Sequence, residues 1–239
     1  MTAVVPTDEV CPTHGPYNDQ AYWYGRRGCK ACDAAQDAYA ARTRREEYRD
    51  RCLLQSGLIG WPARATFENF AADTPAQKSA LEACSAFVVK SEKRGPTPWL
   101  LGPPGTGKTH LASAMVNYAI RERGLSAAIH SARDIVRMLR AGWGKKNAEK
   151  SEEEVLDDLA SLSLLVVDEV GVGFGSESEM VQLFDVIDLR YRYERPTVLV
   201  SNLTAAEIKT VLGDRSFDRL RQGARIVTMD WPSHRGSRA

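Results

Sequence analysis

Between a short apolar run and a helix-forming one lies Gly102-Pro103-Pro104-Gly105-Thr106-Gly107-Lys108-Thr109, which fits GxxxxGK(S/T). Such a loop needs a strand before it and a helix after it. Its successive backbone N–H groups point inward, and the helix N-terminus adds positive potential for phosphate oxygens. TPWLL at 97–101 supplies the strand and residues 108–123 supply the helix. Glycine is expected at Gly105 and Gly107, where a Cβ would block the backbone's approach. Lys108 can reach the β- and γ-phosphates, and the Thr109 hydroxyl can ligate Mg²⁺. The pattern commits the middle of the chain to an α/β fold that handles ATP with Mg²⁺.

From about residue 66 onward, strand and helix signals alternate. A helix opens at Thr74-Pro75, a cap followed by proline at the first helical position. Strands are read at 126–130, 162–169, 197–202 and 225–229. Helices follow Ser131 and span about 151–160, 177–193, 204–212 and 214–221. Apolar runs separated by helices describe a parallel sheet buried on both faces. Two strands end in polar pairs. Leu164-Leu-Val-Val-Asp168-Glu169 sets two carboxylates at the carboxyl edge of the sheet, beside the phosphate loop. There Asp168 suits Mg²⁺ and Glu169 suits the polarisation of an attacking water. Val198-Leu-Val-Ser201-Asn202 ends in an amide that can hydrogen-bond that water or the γ-phosphate, although Asn also caps helices and TAAEI follows. His110 falls in the first turn after the loop and is grouped with the nucleotide-binding residues.

The amino-terminal part has a different character. Cys11-Pro-Thr-His14, fourteen residues, then Cys29-Lys-Ala-Cys32 can close a tetrahedral Zn²⁺ site. Four protein ligands leave no open position, so the metal is expected to be structural. A module of about 32 residues is too small to be stabilised by burial alone. The alternative is scattered cysteines beside a surface histidine. The five cysteines are an odd number, and MTAVVPTDEVCPTHG has neither a basic leader nor a long apolar core. A disulfide framework and a secretory signal are therefore not expected. No apolar run approaches membrane-spanning length, so no membrane partner and a cytoplasmic location are expected. Residues 33–56 suit a helix, and GLIGWPARA at 57–65 reads as a linker. The domains expected are thus 1–57, zinc module plus helix, and 58–239, the ATPase. Trp23, with Tyr22 and Tyr24, offers anchors for a docking partner or simply covers the zinc knuckles.

Lys+Arg 32 against Asp+Glu 31 leaves a net charge of +1, so any nucleic-acid surface has to be a local patch. Residues 133–150 carry six basic and two acidic residues around Trp143. Arg133, Arg137 and Arg140 recur at three- or four-residue spacing and share one helix face. That mixture suits a surface tracking single-stranded DNA, or equally a solvated charged face.

GPPGTGKT, VVDE and the strand ending in Ser-Asn resemble the Walker A, Walker B and sensor-1 elements of AAA+ ATPases. Residues 57–239 are similar to the DnaC/DnaI/IstB branch through TFENF (66–70), SARDIVRML (131–139) and EEEVLDDLASLSLLVVDEVG (152–171). GDRSFDRL (213–220) and DWPSHR (230–235) match as well. The resemblance implies a three-layer P-loop sandwich whose five-stranded parallel sheet has the order 5-1-4-3-2. It implies Arg215 as an arginine finger, Arg235 as a sensor-2-like arginine and TFENF near the adenine, with Phe70 in contact. Core packing is the other reading of Phe67 and Phe70. Ten residues follow Met229, too few for a separate helical lid. The resemblance further implies ATP-dependent self-association into an open ring or spiral. The expected partners are a DnaB-type replicative helicase, gripped by the zinc module as in DnaI-type loaders, and single-stranded DNA at the basic run. An IstB-like helper acting with a transposase on target DNA is the second reading.

Overall fold

The structure, a computed structural model, describes residues 9–17, 30–89, 96–141, 150–171 and 177–234. The chain divides into two compact units, 1–48 and 49–239. In the first, β1 (Glu9–Cys11) and β2 (Gly15–Tyr17) form an antiparallel hairpin whose register pairs Cys11 with Gly15. Helix α1 (Lys30–Gln55) begins there and runs on past the boundary. Tyr22, Trp23, Tyr24 and Cys29 lie outside the described residues.

Among the described residues of the second unit, the sheet has five strands of five residues. They are β3 (Thr97–Leu101), β4 (Ala127–Ser131), β5 (Leu164–Asp168), β6 (Thr197–Ser201) and β7 (Ala224–Thr228). All neighbours are parallel, in the order β4-β5-β6-β3-β7. Counting β3 as the first strand, this is 5-1-4-3-2 read from the opposite edge, the order that the resemblance implies. Side chains alternate across each strand, and the alternation assigns the layers. Leu100, Val166, Val198 and Val200 join a core with α2 (Pro75–Val89) and α3 (Lys108–Arg121). Trp99, Leu101, Leu165, Val167 and Leu199 face the other side. That side is covered by α4 (Ala132–Ala141), α5 (Glu152–Ser161), α6 (Glu177–Arg192), α7 (Ala205–Leu212) and α8 (Asp214–Arg221). Two apolar layers around one sheet make the three-layer sandwich.

Several helix starts coincide with polar caps, which satisfy backbone donors that the first turn leaves over. Ser151 and Thr204 each form a reciprocal capping box with Glu154 and Glu207. Thr74 accepts from the Gln77 N–H while Gln77 accepts from that of Thr74. No helix among the described residues is long and apolar enough to cross a membrane.

Residues 57–65, expected to be a linker, are packed. Ser56 is buried, and its carbonyl accepts from the Ile129 N–H at 2.8 Å, covering part of the free edge of β4. Asn117 on α3 donates to the carbonyls of both Pro62 and Ala65 at 2.9 Å. Glycine and proline fix the turns of this stretch, but its freedom is removed by partners more than fifty residues away.

At the amino ends of the strands, Arg190 is wholly buried with no carboxylate partner among the described residues. Its guanidinium donates to the carbonyls of Leu159, Ala160, Leu162 and Pro196 and to Thr197 Oγ1. Burial, helped by nearby Arg195, brings its pKa down to about 9. The fork geometry of arginine thus joins the ends of α5, α6 and β6 through neutral acceptors.

Candidate active site

The loop 102–109 leaves the carboxyl end of β3, with α3 starting at Lys108. Pro103 and Pro104 have no N–H, so the donors of this stretch resume at Gly105. Lys108 is buried, and its Nζ donates to the carbonyls of Gly102 at 2.8 Å and Pro103 at 2.7 Å. Neutral carbonyls are weaker partners for an ammonium than charged phosphate oxygens, so this arrangement can yield to a nucleotide.

Thr109 Oγ1 donates to Asp168 Oδ2 at 2.9 Å, joining the phosphate loop to the end of β5. Asp168 Oδ1 accepts from the Glu169 N–H at 2.7 Å. Burial holds the Asp168 carboxyl above its usual pKa, while the bonds from Thr109 and Glu169 pull it the other way. A hydroxyl and a partly desolvated carboxylate are hard oxygen ligands that suit Mg²⁺, whose charge would offset the desolvation. Glu169 adopts φ +56°, a left-handed conformation that is uncommon outside glycine. Its side chain is exposed at the strand end.

Asn202 follows β6 and is exposed at the carboxyl edge. Thr204, not Asn202, caps α7, which removes capping as the reason for asparagine here. Ser201 Oγ donates to the Val170 carbonyl at 2.6 Å, tying the end of β6 to the turn after Glu169.

The back of the loop holds residues that sequence reasoning did not single out. Trp231 Nε1 donates to the Thr106 carbonyl at 2.9 Å, and the His234 N–H donates to the Gly105 carbonyl at 2.9 Å. Gly105 and Gly107 have φ of +83° and +90°. A Cβ would land on the Ser233 side chain at the first and on the Phe70 ring at the second. The glycines are therefore needed for what packs behind the loop as well as for what approaches it. Phe70 is buried beneath Gly107 and lies against His110, with ring centroids 5.5 Å apart. His110 also approaches Trp61, and its Nε2 is 3.1 Å from the Thr66 carbonyl. Phe67 packs on Tyr118. In the sequence the strap behind the loop showed only as the DWPSHR (230–235) match, with nothing to tie Trp231 to the loop.

Arg215 sits in the first turn of α8; its side chain and all of Arg235 lie outside what the structure describes. On α4 the three arginines do not share one role. Arg137 is exposed and pairs with Asp134 at 3.3 Å, whereas Arg140 turns toward α6, bonding Glu179 at 3.0 Å and Gln182 at 3.2 Å. Arg133 is exposed, and Trp143 lies outside the described residues.

In the first unit, the turn after β1 meets the start of α1. Cys11 Sγ is 3.6 Å from His14 Nδ1 and 3.4 Å from Cys32 Sγ, and the last two are 3.4 Å apart. A tetrahedral zinc with ordinary bond lengths has S···S edges of about 3.8 Å and S···N edges of about 3.6 Å, so the three ligand atoms fit such an ion. The backbone N–H groups of Thr13 and His14 bring the Cys11 thiol down to about 6, favouring the thiolate that a metal needs. Cys29, the expected fourth ligand, lies outside the described residues. Cys52 and Cys84 pack in the apolar core, where burial pushes Cys84 up to about 12.

Residues 43–238 match the family described as IstB-like ATP binding protein. The replicative helicase loader DnaC of Escherichia coli (strain K12) is 32% identical over 203 residues, spanning 84% of this chain and 82% of that protein. Among solved structures, the DnaC helicase loader crystal structure is similar with a TM-score of 0.61 at 20% identity, covering 72% of this chain and 99% of that one. AMPPCP-bound DnaA from Aquifex aeolicus is similar with a TM-score of 0.59 at 25% identity, covering 70% of this chain and 50% of that one. At 20% identity the DnaC likeness speaks for the fold alone.

Proposed function

The chain belongs to the family of IstB-like ATP-binding proteins, and from that premise we propose that it is an ATP-dependent loader of a hexameric replicative helicase. It is an AAA+ ATPase. The observation carrying the loader reading is the 32% identity to DnaC over more than four-fifths of both chains, which favours it over a transposition helper. The docking module is residues 1–57 and the ATPase residues 58–239. The last turn of α1 is anchored in the ATPase core through Cys52.

In the proposed cycle, Lys108 exchanges the Gly102 and Pro103 carbonyls for phosphate oxygens, and the loop N–H groups receive the rest of the triphosphate. Thr109 and Asp168 would hold a Mg²⁺, which would supply charge neutralisation for the phosphates. Glu169 polarises the attacking water, Asn202 orients it, and Arg215 reaches a neighbouring protomer's nucleotide. Phe70, His110 and Arg235 border the nucleotide. ATP binding orders the interface between neighbours in an open ring or spiral and the face that meets single-stranded DNA; hydrolysis releases the loader. On α4, Arg133 and Arg137 are the better DNA contacts, because Arg140 is spent on α6.

Cys11, His14, Cys29 and Cys32 would hold a structural Zn²⁺, which supplies rigidity and no chemistry. Elemental analysis should find one zinc per chain, lost in Cys32→Ser together with protease resistance of residues 1–48. A metal-free wild-type chain with a protease-resistant amino terminus would sink the site.

Co-purification of the full chain with the host helicase tests the function. The helicase should be retained by the wild type and lost in Cys32→Ser, which should still bind ATP because the nucleotide site lies in the other unit. Retention of a transposase, with no helicase bound under any nucleotide, would put the helper reading ahead.

A further inference from the structure

The phosphate loop is held from behind by the segment after β7. We propose that this strap, Met229–His234, sets the orientation of the loop's peptide groups, with Trp231 as the positioning residue. The inference rests on the ATP-binding reading of the loop and adds to it a group that touches neither nucleotide nor metal.

The strap is anchored at both ends. Met229 N–H donates to the Leu101 carbonyl at 2.7 Å, carrying the β3–β7 ladder up to the start of the loop. At the other end, His234 Nε2 lies 3.3 Å from Gln77 Nε2, and Gln77 Oε1 accepts from the N–H groups of Asp73 and Thr74 at the start of α2. Between these anchors, buried Trp231 holds the Thr106 carbonyl and the His234 N–H holds that of Gly105.

Two successive loop carbonyls are thus fixed toward the strap. In a trans peptide, the C=O and the following N–H point in opposite directions. Holding the Gly105 carbonyl turns the Thr106 N–H away from the strap, and holding the Thr106 carbonyl does the same for the Gly107 N–H. These are consecutive donors in a loop whose preceding positions, Pro103 and Pro104, have none. Glycine at 105 and 107 restricts the loop's backbone less than other residues would. The strap supplies order from outside, and Ser233 occupies the space that a Gly105 side chain would take. An anion site whose donors are already aimed loses less entropy on binding.

The test is equilibrium binding of a fluorescent ADP analogue and steady-state ATP hydrolysis by the full chain. Trp231→Phe keeps a ring and deletes the donor. Its Kd should rise about three- to tenfold, the range expected for one hydrogen bond. KM should rise in proportion while kcat stays within about twofold, since the loop's contacts are made in ground and transition states alike. Trp99→Phe is the control, because Trp99 is fully buried and its Nε1 has no hydrogen-bond partner among the described residues. It reports loss of indole packing without loss of a hydrogen bond.

A lowered Tm with unchanged Kd in Trp231→Phe, or an equal rise of Kd in Trp99→Phe, overturns the proposal. If Trp231→Phe does not fold, His234→Pro deletes the second donor at an exposed position, and His234→Ala keeps it. The Pro variant must then bind more weakly than the Ala variant; equal binding overturns the strap. A wild-type chain that binds no nucleotide overturns the ATP reading itself, which is a different result from a wild type that binds and a Trp231→Phe that binds equally well.

Discussion

Glu169→Gln is expected to bind ATP and Mg²⁺ as the wild type does while hydrolysing ATP at least about 100-fold more slowly. The binding groups are elsewhere: Lys108 in the loop, Thr109 at the start of α3 and Asp168 at the end of β5. Gln has the shape of Glu and meets the same backbone demand at φ +56°, so the turn at the strand end should survive. What disappears is the negative charge that polarises water. In phosphoryl transfer, positioning and electrostatics supply nearly all of the catalysis, which is why one charge carries so large a factor. Lys108→Ala is the complementary variant and should lose nucleotide binding outright. Binding titration and single-turnover hydrolysis on the same preparations separate the two. A Glu169→Gln protein that turns over at the wild-type rate would remove Glu169 from the mechanism.

Arg215→Ala is expected to bind ATP nearly normally and to lose about 10³-fold or more in assembled turnover, the effect seen when an arginine is supplied in trans. Arg215 lies in the first turn of α8, a short helix on the opposite layer of the sheet from α3. We propose that it serves a neighbour's nucleotide. Mixing Arg215→Ala with Lys108→Ala should restore part of the activity, because one protein offers an intact site and the other an intact finger. Mixtures shown to co-assemble and yet inactive would count against action in trans.

The two expectations differ in how they could be known. Asp168 and Glu169 were legible because a buried apolar run ending in acids can only surface at the sheet's edge, and the phosphate loop fixes which edge matters. The helix starts at Thr74 and Ser131 were legible because a cap bonds to a backbone N–H two or three residues on. The three-layer sandwich followed from strands too apolar to leave either face wet. Each of these is decided within a few residues by strand alternation, helix periodicity or the N–H geometry of a glycine loop.

Other features have no such local sign. Arg190 stands in a charged run, RYRYER, that reads as a solvated helix end, yet it is wholly buried and joins four carbonyls and a threonine. Arg140 shares its spacing with Arg133 and Arg137 but is drawn away by Glu179 and Gln182, about forty residues further on. GLIGWPARA has the composition of a tether and is packed because Asn117 lies opposite two of its carbonyls and Ile129 holds the Ser56 carbonyl just before it. Trp231 meets Thr106 across 125 residues of chain.

The sequence by itself determined the phosphate-loop pattern and the layering of the fold, since both rest on short-range backbone geometry and on apolar periodicity. Only the tertiary structure decided which polar groups are satisfied by which, and so which arginine is structural, which linker is rigid and what steadies the phosphate loop. Most buried donors find an acceptor wherever the fold brings one. Most of the acceptors here are main-chain carbonyls, which every residue carries alike and which therefore leave no mark in a sequence.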